Sequence, residues 1–90
     1  MTFIDSPMFG AILKARAGTI TFIVGTDDDA EFERANLVLK GMGENIIRSG
    51  GPGTGQIVKI VNNQILGIYM IAAAEGLVLG EKLGMDKHKL

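Results

Sequence analysis

TGQIVKIVNNQILGIYMIAAAEGLVLGEKL, residues 54–83, is apolar on nearly every side. The exception is a polar stripe near its start, formed by Gln56, Lys59, Asn62 and Asn63. At about 1.5 Å per residue, the stretch predicts a helix roughly 45 Å long. Gly51-Pro52-Gly53 breaks the chain before it, Thr54 is placed to cap its N-terminus, and Gly84 supplies a stop after it. Lys59 and Asn63 stand four residues apart and so share a face, one turn from each other. Polar groups this close to an apolar run need partners or a wet cleft, and chemistry is expected there.

Ninety residues make one small domain or part of a larger one. With 47% hydrophobic residues and a mean hydropathy of +0.28, the chain is too apolar to be disordered. A net charge of −1 and a sequence pI of about 5.7 give no basic footprint for nucleic acid or an anionic membrane. Cysteine is absent, which excludes disulfide and thiolate chemistry and leaves the compartment open. The opening MTFID lacks the charged n-region and apolar core of a signal peptide. It enters what reads as a strand at once, and the last residues fall inside what reads as a new helix, so neither end reads as a natural limit. The most membrane-like run is ILGIYMIAAA, residues 65–74. It falls short of the about twenty residues a span needs, and Lys59 and Glu75 flank it. The expectation is a buried core helix.

Before the long helix, Phe3-Ile4 reads as the end of a short strand and Asp5-Ser6-Pro7 as the turn after it. Phe9-Gly10-Ala11 reads as a loop, and residues 11–17 could hold a helical turn. Residues 19–24, TITFIV, are β-branched and aromatic, end at Gly25, and predict a strand. Asp27-Asp28-Asp29 then place negative charge on a helix N-terminus, where the dipole favours it. Phe32, Ala35 and Leu39 form the apolar face of that helix, Lys40 sits in its last turn, and Gly41 ends it. Residues 45–49 predict another short strand, centred on Ile46-Ile47, and Asp86 begins a further helix.

Strand and helix alternate up to residue 50, as in an α/β sheet layered with helices. The long helix is too long and too apolar to be one crossover on a small sheet, so a domain boundary is expected at residues 50–53. Ala72, Gly76 and Gly80 recur every four residues along it, a smooth strip that another helix could approach closely. Glycine inside a helix costs about 1 kcal/mol relative to alanine. Packing must offset that, and nothing else in these residues is long enough to supply it.

GGPGTG, residues 50–55, invites a phosphate-loop reading, but the spacing fails. The dinucleotide fingerprint would need glycine at Gln56 or Val58, and a P-loop would need a Lys-Ser/Thr pair directly after its glycine. A tight turn between domains fits better. Lys59 alone would be an ordinary solvated lysine. With Asn63 one turn on and Ile57, Val58, Ile60 and Val61 around it, it fits a lysine partly withdrawn from water and suited to exchange protons with a hydroxyl. The asparagine amide could hold that hydroxyl or the ammonium. His88 reads as a solvated residue among lysines, and the five methionines as core filler.

FIDSPMFGA, ARAGTITFIVG, KGMGENI, GTGQIVKIVNN and AAAEGLVLGEKLGMD, in this order and spacing, together resemble the 3-hydroxyisobutyrate dehydrogenase family of β-hydroxyacid dehydrogenases. The most specific piece is Gly53-x-Gly55-x-x-x-Lys59-x-x-Asn62-Asn63. The resemblance implies residues 1–51 as the end of a Rossmann-type NAD(P) domain. Residues 52–90 would be a long α-helix opening an all-α domain. It implies Lys59 as the acid/base that takes the hydroxyl proton as hydride leaves for the nicotinamide, and Asn63 as the residue holding the substrate beside it. Related 6-phosphogluconate dehydrogenases carry histidine at the position of Asn62, so the resemblance is to the small-hydroxyacid branch.

The family binds the substrate carboxylate through a DAPVSGG loop, by its serine and following glycine. Here the loop reads Asp5-Ser6-Pro7-Met8-Phe9-Gly10-Ala11. Gly10 keeps its backbone N–H, Phe9 replaces the serine, and Ala11 replaces the second glycine. A phenylalanine donates no hydrogen bond and fills space a carboxylate would use. The family's GxGxxG and its NAD-or-NADP selecting residue lie outside this sequence, so the implied cofactor, NAD or NADP, is held mostly elsewhere. The ninety residues alone are expected to be inactive. The implied partners are a small hydroxy acid and a second copy of the chain in a homo-oligomer, with no nucleic acid and no membrane. The implied compartment is the cytoplasm or the mitochondrial matrix. The competing reading is a non-catalytic paralogue keeping the fold for dimerisation or partner binding; loss of the loop serine favours it, and Lys59 with Asn63 opposes it.

Overall fold

The β-branched run predicted as a strand forms the centre of the sheet. The structure, a computed structural model, describes residues 3–90. In chain order the elements are β1 (Met8–Phe9), α1 (Ala11–Ala17), β2 (Ile20–Gly25), α2 (Asp29–Leu39), β3 (Gly43–Gly50) and α3 (Thr54–Lys82), followed by a 3-10 turn, Lys87–Lys89. The sheet order is β1-β2-β3, with β1 antiparallel and β3 parallel to β2. Ile20, Phe22, Ile23 and Val24 are all buried, with no in–out alternation. That pattern marks a strand covered on both faces.

α2 is the crossover of a parallel βαβ unit. Among the three aspartates at its start, Asp28 is the N-cap, its side chain accepting from the N–H groups of Ala30 and Glu31. Ala35 is buried, with Phe32 and Leu39 half-buried on the same face, as the helical spacing predicts.

The first strand lies elsewhere than the sequence pattern indicates. Phe3 and Ile4 are not in a strand, and β1 is Met8–Phe9. The cause is Pro7. The chain runs beside β2 from Asp5 onward: Asp5 bridges Gly25, and the Pro7 carbonyl accepts from the Ile23 N–H at 3.0 Å. Pro7 has no N–H to return, which splits the ladder into a bridge before it and a two-residue strand after it. Phe9 is therefore strand and not loop, and residues 11–17 form a short helix of seven residues.

The chain divides into two compact units, one ending at Ile60 and the other Val61–Leu90, with the division inside α3. In the second unit α3 ends at Gly84, φ +97°, with the Gly84 N–H bonded to the Glu81 carbonyl and the Met85 N–H to the Gly80 carbonyl. This paired closure is a Schellman motif. Asp86 caps the 3-10 turn through the His88 N–H. The glycine strip is partly filled from within the chain: a Cβ on Gly80 would stand 2.6 Å from the Leu90 Cδ1 atom, whereas nothing lies within 4 Å at Gly76.

The expectation of a buried long helix is not met within these residues. Gly55 is its one buried position, and its large apolar residues from Ile57 to Leu79 are each at least 40% exposed. By length and composition alone, α3 is the one helix among the described residues that reaches the requirement for a membrane span.

Candidate active site

The start of α3 is held by a residue from the other end of the sequence. The first intrahelical bond, from the Ile57 N–H to the Gly53 carbonyl at 3.2 Å, makes Gly53 the N-cap residue. It has no side chain to cap with and stands at φ +88°. Thr54, expected as the cap, lies inside the helix. Its hydroxyl donates instead to the Gly51 carbonyl at 2.7 Å and meets Ser49 Oγ at 2.8 Å. The cap is Asp5. Its Oδ1 accepts from the Gly53 N–H at 2.6 Å and its Oδ2 from the Gln56 N–H at 2.9 Å. One buried carboxylate thus meets both N–H groups that a capping box serves with two side chains.

Lys59 follows one turn later and is half-buried. Its Nζ donates to the Met8 carbonyl at 2.6 Å and stands 4.2 Å from the centroid of the Phe9 ring. At that distance the ammonium and the ring face attract. Strand β1 therefore offers the lysine a carbonyl from one residue and an aromatic face from the next. Beside it opens a cleft of about 430 Å³, lined among others by Met8, Gly10, Ala11, Ile20 and Lys59. That volume is within the usual range for small-molecule sites.

Of the five residues singled out from the sequence, four come together here: Lys59, Phe9, Gly10 and Ala11. Gly10 is at φ +135° and Ala11 at φ +51°, so the turn from β1 into α1 runs through two successive left-handed residues. Asn63 is exposed on α3 within the second unit. In the sequence Asp5 reads as a turn residue and as the first residue of the loop that matches DAPVSGG, with no sign of a capping role. The available signal was a helix start whose N-cap position holds a glycine, which must borrow its acceptor from elsewhere.

The glycine-rich turn provides no phosphate cradle, as its spacing indicated. The N–H groups of Gly53 and Gln56, which would meet an anion, already face the Asp5 carboxylate. A pyrophosphate there would meet like charge. These residues do not themselves fit the pyrophosphate of a dinucleotide.

Residues 1–51 match the family model described as the NAD binding domain of 6-phosphogluconate dehydrogenase. Residues 53–90 match the one described as NAD-binding of NADP-dependent 3-hydroxyisobutyrate dehydrogenase. A βαβ unit running into a long lysine-bearing helix thus carries two matches in series, both to NAD-binding domains of dehydrogenases. The chain belongs to the 3-hydroxyisobutyrate dehydrogenase family of β-hydroxyacid dehydrogenases. It is 49% identical to 3-hydroxyisobutyrate dehydrogenase of Pseudomonas aeruginosa, over 96% of this chain and 28% of the relative. With the human mitochondrial 3-hydroxyisobutyrate dehydrogenase it shares 46%, over 98% of this chain and 26% of the relative. The solved structure of Mycobacterium tuberculosis 3-hydroxyisobutyrate dehydrogenase with L-serine superposes with a TM-score of 0.83 at 42% identity, covering 92% of this chain and 28% of that one. The chain thus spans under a third of the length of these relatives.

Proposed function

We propose that these residues form the substrate side of an NAD(P)-dependent dehydrogenase acting on a small 3-hydroxy acid, within a chain of its relatives' length. The observation that carries the reading is the anchored amine. Lys59 is held at 2.6 Å by a main-chain carbonyl and is the one titratable group among the described residues lining the cleft. Held there, Lys59 accepts the proton of the substrate hydroxyl as the carbinol carbon is oxidised to the semialdehyde, and returns it in the reverse direction. Asn63 keeps the role the resemblance implies, holding that hydroxyl through its amide. The backbone at Gly10 and Ala11 meets the carboxylate, since Phe9 has no hydroxyl to offer. The redox partner is NAD or NADP, for whose pyrophosphate the residues described here offer no cradle. L-Serine, named with the M. tuberculosis structure, is itself a 3-hydroxy acid and supports this substrate class.

In this reading residues 1–51 close the Rossmann-type domain and 52–90 open the helical one. The apolar side of α3 is covered by protein, from the rest of such a chain and from a second copy in a homo-oligomer. The polar stripe of its first turns and the charges at Glu75 and Glu81 support protein over lipid as that cover. The compartment is the cytoplasm or the mitochondrial matrix.

The test uses a chain of the relatives' length, assayed with NAD and NADP against 3-hydroxyisobutyrate, L-serine and other small 3-hydroxy acids. Replacing Lys59 by Ala is expected to lower kcat by about 10²–10⁴-fold, with cofactor affinity unchanged. Near-normal kcat in the variant removes Lys59 from the mechanism. Failure to oxidise any 3-hydroxy acid sinks the substrate class.

A further inference from the structure

We infer that Asp5 is the positioning residue for Lys59, acting by fixing the register of α3 against the β1 segment; the inference rests on the proposed role of Lys59. Beyond the bond from the Gly53 N–H to Asp5 Oδ1, two hydrogen bonds tie the helix to that segment. Asp5 Oδ2 accepts from the Gln56 N–H at 2.9 Å, and three residues further along each chain segment Met8 O accepts from Lys59 Nζ at 2.6 Å. Both join positions 51 apart in sequence, so they are successive rungs of one ladder.

The first rung is rigid and the second is not. Asp5 is buried, its backbone is paired in both directions with Gly25, and both carboxylate oxygens are engaged. The helix lies so close at this point that a Cβ on Gly55 would stand 2.6 Å from Asp5 Oδ2 and 2.6 Å from the Ile23 carbonyl oxygen. Lys59, by contrast, reaches its carbonyl on a four-carbon stem with several rotatable bonds. A flexible side chain finds one place only if its root is fixed, and the root is fixed by the carboxylate one turn earlier. This reading accounts for the two glycines in Gly53-x-Gly55-x-x-x-Lys59: the first turns its N–H toward Asp5 from φ +88°, a conformation that favours glycine, and the second lets the helix close over it.

The experiment is a double-mutant cycle in the chain of the relatives' length, with Asp5→Asn, Lys59→Ala and both together. The amide keeps the size of the side chain but turns an N–H₂ group toward one of the two helix N–H donors. Asp5→Asn is expected to lower kcat by roughly 10²-fold, the scale of a 1 Å misplacement, with cofactor affinity unchanged. In the Lys59→Ala background it should cost less than about twofold, because a misplaced lysine that is absent costs nothing more. A second readout needs no turnover. With lysine labelled at Cε, the ε-methylene resonance of Lys59, assigned by its loss in Lys59→Arg, is shielded by the Phe9 ring beneath it. Asp5→Asn should move it toward the position of a free lysine. Should Asp5→Asn fail to fold, Gln56→Pro removes the same hydrogen bond from the helix side, where an N–H has no intrahelical partner. Gln56→Ala is its control. An unmoved resonance overturns the inference whatever the kinetics, as does an equal loss of kcat with and without Lys59. If Lys59→Ala keeps normal kcat, the proposed function fails, and the resonance still decides the role of Asp5.

Discussion

The Lys59 ammonium nitrogen lies 4.2 Å from the centroid of the Phe9 ring, on the strand residue that follows its carbonyl anchor, Met8. The ring stands where the resemblance places a serine that would meet the substrate carboxylate. Phe9 thus touches the proposed acid/base directly, and its identity bears on both the lysine and the substrate.

Replacing Phe9 by Ser in the chain of the relatives' length should tighten binding of small 3-hydroxy acids. A hydrogen bond to a charged group is worth roughly 1.5–3 kcal/mol, so KM should fall about tenfold or more. Steady-state kinetics across a panel of 3-hydroxy acids measure this. Unchanged KM throughout would mean that this turn does not contact the substrate.

Ala11 occupies the left-handed region at φ +51°, where a side chain costs roughly 1–2 kcal/mol. Ala11→Gly removes that strain, while the freer unfolded chain takes back about 0.4–1 kcal/mol. The net expectation is about 0.5–1 kcal/mol of added stability, read from the denaturant midpoint of the ninety-residue chain at fixed concentration. A lower midpoint would contradict the left-handed conformation at this residue.

Two glycines on α3 should respond oppositely to alanine. A Cβ on Gly55 would meet Asp5 and the Ile23 carbonyl at 2.6 Å, whereas nothing lies within 4 Å of one on Gly67. Gly55→Ala is expected to destabilise by about 1–3 kcal/mol, as overpacking does. Gly67→Ala should stabilise by up to about 1 kcal/mol from helix propensity. Circular dichroism of thermal unfolding separates the two, and equal effects would contradict the close seat at Gly55.

In the ninety-residue chain, Ile65, Leu66, Ile68, Tyr69, Met70 and Ile71 are each at least half exposed. Together they form a patch well above the few hundred Å² that monomers tolerate. The chain is expected to self-associate at micromolar concentration through the residue 65–79 region, with the open position at Gly76 at close approach. Sedimentation of the chain and of Gly76→Leu measures it. A clean monomer that unfolds cooperatively would refute the expectation, and so would association unaltered by the leucine.

The elements whose physics is local were legible in the sequence. The β-branched run of β2, the aspartates at the start of α2, the apolar spacing of Phe32, Ala35 and Leu39, and the extent of α3 all follow from periods of two and 3.6 and from end signals. The proposed site was legible in part, because Lys59 and the turn from Phe9 to Ala11 lie in motifs short enough to read. The tertiary structure alone decided what joins them. Strand β1 sits at Met8–Phe9 because Pro7 interrupts pairing with β2, and the partner strand is distant in sequence. The cap of α3 comes from Asp5 and not Thr54, since a contact between positions 51 apart leaves no local pattern. The Phe9 ring meets Lys59 only once that cap has set the helix in register, because a lysine side chain has no fixed direction until its backbone has a place.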